Sequence, residues 1–156
     1  MNPRRLLQNP EFNLGVFAFL LNLVWEFWQI PFFVGMADQP HWLGVKICTQ
    51  TTLGDVAIIL VAFWITAIAA RNRNWILLPR KEDLALFLGI GIIATALVEG
   101  VATGPAGRWS YTLAMPRLPF IGTGLLPILQ WLVIPPLVLW FARRQINGDP
   151  HRRRPD

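Results

Sequence analysis

Three carboxylates stand where water is scarce. Glu26, Asp55 and Glu99 each fall in a long apolar stretch of this 156-residue chain, and a fourth such stretch carries Gln130. A protonated carboxyl in apolar surroundings is a general acid for an alkene, and a second carboxylate can accept a proton or position water. The ring faces of Trp25, Trp28, Trp109, Tyr111 and Trp131 could stabilise a carbocation. The same groups could instead form a proton or cation path. As a third reading, Glu26, Asp55, Glu99 and Gln130 hydrogen-bond one another and Arg108 as a polar clamp that holds the packing.

Spacing groups these residues by face. Asn22 and Glu26 are four apart, and Glu26 and Gln29 three apart, so all three share one helix face. Cys48, Thr51, Thr52 and Asp55 share another, where Thr51 or Thr52 could cap the helix and Asp55 complement its dipole. Thr95, Glu99 and Thr103 follow at steps of four, with Thr95 and Thr103 suited to bonding back to carbonyls.

The elements that must position them are membrane helices. The chain is 54% hydrophobic and 15% charged, with mean hydropathy +0.44; soluble domains average about 25% charged. Apolar runs at about 13–34, 52–70, 84–102 and 122–142 each suffice to cross ~30 Å of hydrocarbon. With no period-2 pattern, the fold expected is an all-α, four-helix integral membrane bundle. Residues 1–12 form a lead that Pro3 and Pro10 keep from being helical until about residue 12. Residues 143–156 form a basic tail.

Eleven of the 14 Lys and Arg residues lie at the N-terminus (Arg4, Arg5), in the middle loop (Arg71, Arg73, Arg80, Lys81) or in the tail (Arg143, Arg144, Arg152, Arg153, Arg154). Only Lys46, Arg108 and Arg117 lie on the other side. That asymmetry places both termini in the cytoplasm. The charges flank apolar helices rather than forming one basic face, so nucleic acid is not the expected partner. In this topology Glu26, Asp55, Glu99 and Gln130 all fall within roughly 5–15 Å of the outer boundary. Three carboxylates at one depth repel if all are ionised, so at least one is expected to keep its proton at neutrality. The inner half offers no continuation of a proton path, which ranks a transporter lower.

A single cysteine, Cys48, excludes an internal disulfide. His41 and Cys48 make no coordination set, and no metal or cofactor is expected. The first run is longer than a signal-peptide core and contains Asn22, Glu26 and Gln29, so it reads as a retained span. Gly54, Gly89 and Gly91 are positioned for close helix approach. Pro127, Pro135 and Pro136 should kink the last span.

The pattern Trp25-Glu26, Gln29, Pro31, Cys48, Gly54-Asp55, Glu99, Gly107-Arg-Trp-Ser-Tyr111, Met115-Pro116, Pro119, Gly122, Gly124-Leu-Leu-Pro127 and Gln130-Trp131 resembles a family of small bacterial inner-membrane proteins of unassigned function. The resemblance covers most of residues 20–140. Ile47 stands where those proteins often have His before the cysteine. Separately, Glu99-Gly-Val-Ala-Thr-Gly-Pro-Ala-Gly-Arg-Trp-Ser-Tyr111 is similar to a segment of membrane carotenoid hydratases of the bisanhydrobacterioruberin type. Ala106 replaces a Phe of that pattern and Trp109 its first Tyr. In layout, four helices with intramembrane acids also resemble the sterol-isomerase (emopamil-binding) fold.

Two functional classes follow. As an enzyme, the chain would do acid–base chemistry on an isoprenoid or similar apolar lipid, with Glu99 as acid and Asp55 or Glu26 as its partner. Gln130 would orient water or substrate, beside binding residues Gln29, Trp25, Arg108, Trp109, Tyr111 and Trp131. As a non-catalytic accessory subunit, it would belong to a larger bioenergetic or photosynthetic membrane complex. Membrane lipids surround it in either case.

Overall fold

A computed structural model describes residues 6–104, 106–119 and 122–148. Arg4, Arg5, Pro105 and the tail from 149, including Arg152 to Arg154, lie outside the described residues. Among the described residues there are four long helices and no strand: α1 (Pro10–Gln29), α2 (His41–Ala69), α3 (Lys81–Thr103) and α4 (Leu125–Asn147). All four are long and apolar enough to span a membrane. Each packs on its neighbours in sequence, and α1 closes the ring against α4. The 33–40 and 104–124 connections therefore share one end of the bundle. The α2–α3 connection lies at the other end, with the start of α1 and the end of α4.

Local chemistry sets the helix limits. Asn9 caps α1 by accepting the Phe12 amide at 2.9 Å, and Pro10 takes the first helical position. Proline costs nothing there because that N–H has no intrahelical partner, so Pro10 starts the helix instead of delaying it. Pro31, which cannot supply the next N–H, ends α1 in a short 3-10 turn at Ile30–Phe32. Asp83 accepts the Arg80 amide at 3.2 Å and its guanidinium at 3.1 and 3.2 Å, anchoring the start of α3. Pro127 sits in the first turn of α4, where it breaks no hydrogen bond, while the helix runs on through Pro135 and Pro136.

The largest departure from expectation is α2. It begins at His41, not near residue 52, and its 29 residues extend about 43 Å against ~30 Å of hydrocarbon. Thr51, Thr52 and Asp55 therefore lie well inside the helix. Neither threonine caps it, and Asp55 is too far from its N-terminus to complement the dipole.

The half of the bundle at the start of α1 and the end of α4 holds the larger cluster of buried apolar residues. Trp75, from the α2–α3 connection, folds inward and donates Nε1–H to the Phe63 carbonyl at 3.3 Å. Its ring continues a stack of Phe63, Trp75, Phe87 and Trp131, with centroid spacings of 6.0, 5.5 and 6.4 Å. Arg73 ties the same connection to α1 through two 2.8 Å bonds to Glu11. At the top of the stack Trp131 occupies the space over Gly91: a Cβ there would lie 1.8 Å from the ring. Gly89 and Gly54 meet nothing within 4 Å, so Gly91 alone of the three expected small-residue contacts makes a close approach.

Gly91→Val should therefore force Trp131 to move and destabilise the bundle by about 1–3 kcal/mol or more. Gly89→Ala should be neutral or slightly stabilising, because it removes backbone entropy without a clash. Thermal unfolding in detergent checks the pair; equal midpoints for the two variants would mean that the Trp131 contact does not hold α3 to α4.

Candidate membrane-embedded polar cavity

At the opposite end the helices enclose a cavity of about 380 Å³. Every helix contributes a polar group to its wall: Glu26 from α1, Asp55 from α2, Glu99 from α3 and Gln130 from α4. The volume suits a small-molecule site, where a mostly apolar lining with a few convergent polar groups is usual. Gln29 closes the α1 side, and Arg108 and Trp109 border it from the 104–124 connection.

Each carboxylate has its own donors. Glu26 accepts from Gln29 Nε2 at 2.7 Å through Oε1 and from Thr51 Oγ1 at 2.7 Å through Oε2. Thr51 also approaches the Ile47 and Cys48 carbonyls at 3.1 and 3.0 Å, but its single proton serves the shorter contact to the carboxylate. Asp55 accepts from Gln130 Nε2 at 2.9 Å, and the second N–H of that amide goes to Asn22 Oδ1 at 2.7 Å. Both Gln130 donors are thereby used, so toward a ligand or water it can only accept. Asn22 itself donates to the Ala18 carbonyl at 2.8 Å. Of the expected clamp of Glu26, Asp55, Glu99, Gln130 and Arg108, the Gln130–Asp55 bond is present, with Asn22 added to it, and the clamp does not extend to Arg108. Among the described residues the ion pairs are Arg73–Glu11 and Arg80–Asp83, and Arg108 makes none with a cavity carboxylate.

Glu99 is held from the loop side. Its Oε2 accepts the Tyr111 hydroxyl and Trp109 Nε1–H, the latter at 3.2 Å. Tyr111 is fixed in turn by a backbone bridge to Phe33, a ring contact with Phe33 at 5.6 Å and the Arg117 guanidinium 5.4 Å over its face. The bridge is flanked by Val34 N–H to the Ser110 carbonyl at 2.9 Å and Thr112 N–H to the Phe32 carbonyl at 3.0 Å. Thr103 bonds back to the Glu99 carbonyl at 2.7 Å, as its spacing suggests. Thr95 does not bond back; its hydroxyl is buried without a partner.

The cavity therefore unites Glu26, Gln29, Asp55, Glu99, Arg108, Trp109 and Gln130, but three expected binding residues are elsewhere. Trp131 is in the core stack, one residue and about 100° around α4 from Gln130. Trp25 packs on Trp28, ring centroids 5.3 Å apart, away from the cavity, and Tyr111 stands behind Glu99 instead of lining the wall. Of those rings only Trp109 faces the space. Asn22 and Thr51 carry hydrogen bonds that a list of cavity acids omits, though Asn22 shares the Glu26 face and Thr51 the Asp55 face. Among the described residues no three His, Cys, Asp or Glu side chains group as a metal site. Comparison with known protein families, curated proteins and solved structures finds no match for the chain.

Burial, and then the hydrogen bond to Glu99, push the Tyr111 phenol well above its ordinary range. It is the one tyrosine in the chain, so its titration is unambiguous. Phenolate absorption in detergent should appear only well above pH ~10. The folded state then holds this proton where the unfolded chain loses it, so stability should fall as pH rises past ~10. An ordinary tyrosine midpoint would show that Tyr111 is not seated behind Glu99.

Proposed function

We propose that the cavity carries acid–base chemistry on an isoprenoid or similar apolar lipid, within a multi-pass protein of a bacterial inner membrane. The end bearing the α2–α3 connection would face the cytoplasm, since Arg71, Arg73, Arg80, Lys81, Arg143 and Arg144 gather there. The cavity then opens in the outer half. The observation that carries the reading is the setting of Glu99. Tyr111 and Trp109 hold one oxygen, and among the described residues no donor reaches the other, on a residue of the cavity wall.

From that free oxygen Glu99 gives its proton to an alkene carbon. The π pair forms the new C–H bond, and the adjacent carbon becomes cationic. The Trp109 face is the ring placed to stabilise that charge. Glu26 or Asp55 then takes a proton, either from a neighbouring carbon, which completes an isomerisation, or from a water that adds to the cation, which completes a hydration. The fixed Tyr111 and Trp109 donors stabilise the Glu99 carboxylate left behind. The local likeness of residues 99–111 to carotenoid hydratases supports the same class.

The accessory-subunit reading draws on the exposed rings of α1, where Trp28 is 57% exposed and packs on Phe32 at 5.8 Å. Such a row suits a partner helix as well as lipid. Stoichiometric recovery with a larger complex from native membranes would favour that reading.

The decisive experiment incubates purified protein in D₂O with alkenes extracted from its native membranes. Deuterium should enter the product, by mass spectrometry, and Glu99→Gln should lower that rate by on the order of 10²-fold or more while leaving the unfolding midpoint near wild type. Labelling that survives Glu99→Gln, or no labelling at all, would remove acid–base chemistry at Glu99.

A further inference from the structure

Two side chains on the cavity wall keep unused hydrogen-bonding atoms. Gln29 spends Nε2 on Glu26, and its Oε1 has no partner. Thr95 Oγ1 has none either, although Thr51, Thr52 and Thr103 each approach the carbonyl four residues back. The residues are only 5% and 7% exposed, so bulk water does not relieve them. An unpaired buried polar group costs as much as a lost hydrogen bond. Trp25 Nε1 and Thr66 Oγ1 also lack partners, but neither residue borders the cavity.

The free atoms specify a chemistry. An amide oxygen can only accept, so what pairs with Gln29 must bring a donor, while a threonine hydroxyl can donate or accept. A hydroxyl group satisfies either. A strongly anionic head is disfavoured, because the wall holds Glu26, Asp55 and Glu99 against the lone guanidinium of Arg108.

The cavity also opens sideways. Gly54 and Gln50 on α2 and Val98 on α3 border it, yet all three are exposed, Val98 by 49%. Val98 lies five residues before the end of α3, about 8 Å along the axis, at hydrocarbon depth. A Cβ on Gly54 would meet nothing within 4 Å, so this part of the rim is unobstructed.

We propose that the cavity binds a neutral lipid alcohol, its hydroxyl paired with the free group of Gln29 or of Thr95 and its apolar chain leaving for the bilayer between α2 and α3. The inference rests on the proposed function of this cavity and narrows its substrate class. A lipid bearing both an alkene and a hydroxyl meets the acid at Glu99 without crossing water.

The test is equilibrium binding of geranylgeraniol, its methyl ether and the parent hydrocarbon to the full chain in nanodiscs, read by native mass spectrometry. The alcohol should bind about tenfold tighter than the ether, which has lost its donor. Gln29→Met or Thr95→Val should bring that ratio toward one; Thr95→Val removes no protein hydrogen bond, so its fold is kept. Gly54→Leu should abolish binding of all three probes at an unchanged unfolding midpoint. Equal affinity for alcohol, ether and hydrocarbon, as expected if water fills the polar points, would overturn the proposal, as would full binding by Gly54→Leu. Because binding needs no turnover, selective alcohol binding without deuterium transfer would sink only the acid–base reading. Deuterium transfer without alcohol preference would sink only this one.

Discussion

The hydrogen bond from Tyr111 to Glu99 is the contact on which the cavity end depends. It joins the 104–124 connection to α3, and the same tyrosine pairs its backbone with Phe33, so the α1–α2 connection is drawn into the same cover. Gly124 allows this: a Cβ there would press on Met115 and the Tyr111 ring, each at 3.1 Å. Met115 and Leu126 complete a small apolar cluster around the ring. The phenol keeps its proton over the whole ordinary pH range, so it is always a donor, and the oxygen of Glu99 that it touches is always an acceptor. The other Glu99 oxygen takes no donor among the described residues.

The two halves of the bundle satisfy opposite requirements. Toward the α2–α3 connection, rings from the helices and from that connection gather in the core, and Trp131 lies over Gly91. Immediately beyond it α4 presents Gln130, which ties Asn22 and Asp55 together. Interhelical hydrogen bonds of this kind contribute about 0.6 kcal/mol each on average, because polar groups in lipid find other partners when the bundle opens. Apolar close packing therefore holds the helices together, and the polar network selects their register. The ring contacts of Phe63, Trp75, Phe87 and Trp131 lie on one side of that polar layer.

What was legible beforehand was periodic. Four apolar runs gave the spans, and steps of three and four put Asn22, Glu26 and Gln29 on one buried face and Thr95 and Glu99 on another. What was hidden depended on partners far away in sequence. Residues 41–51 are too polar to count as a span, yet they are helical because α2 continues beyond the hydrocarbon. Trp75 follows the second apolar run beside Arg71 and Arg73, and the connection turns it inward onto Phe63. Trp131, expected among the rings facing a cation, adjoins Gln130 in sequence, but adjacent helical residues point about 100° apart. The Tyr111–Glu99 bond spans 12 residues of irregular backbone, and no spacing rule reaches across such a loop.

The length of α2 and the depth of the polar layer agree by separate routes. Asp55 lies 14 residues from the start of α2, about 21 Å, whereas its partner Gln130 lies five residues from the start of α4, about 8 Å. Their 2.9 Å contact puts both at one level, so α2 rises about 13 Å above the start of α4. Subtracting ~30 Å of hydrocarbon from about 43 Å of helix leaves the same overhang. The three acids thus need not sit at the bilayer centre, where a charge is most expensive. Glu26, Glu99 and Gln130 stand three, four and five residues from the ends of α1, α3 and α4 on that side, about one turn of helix.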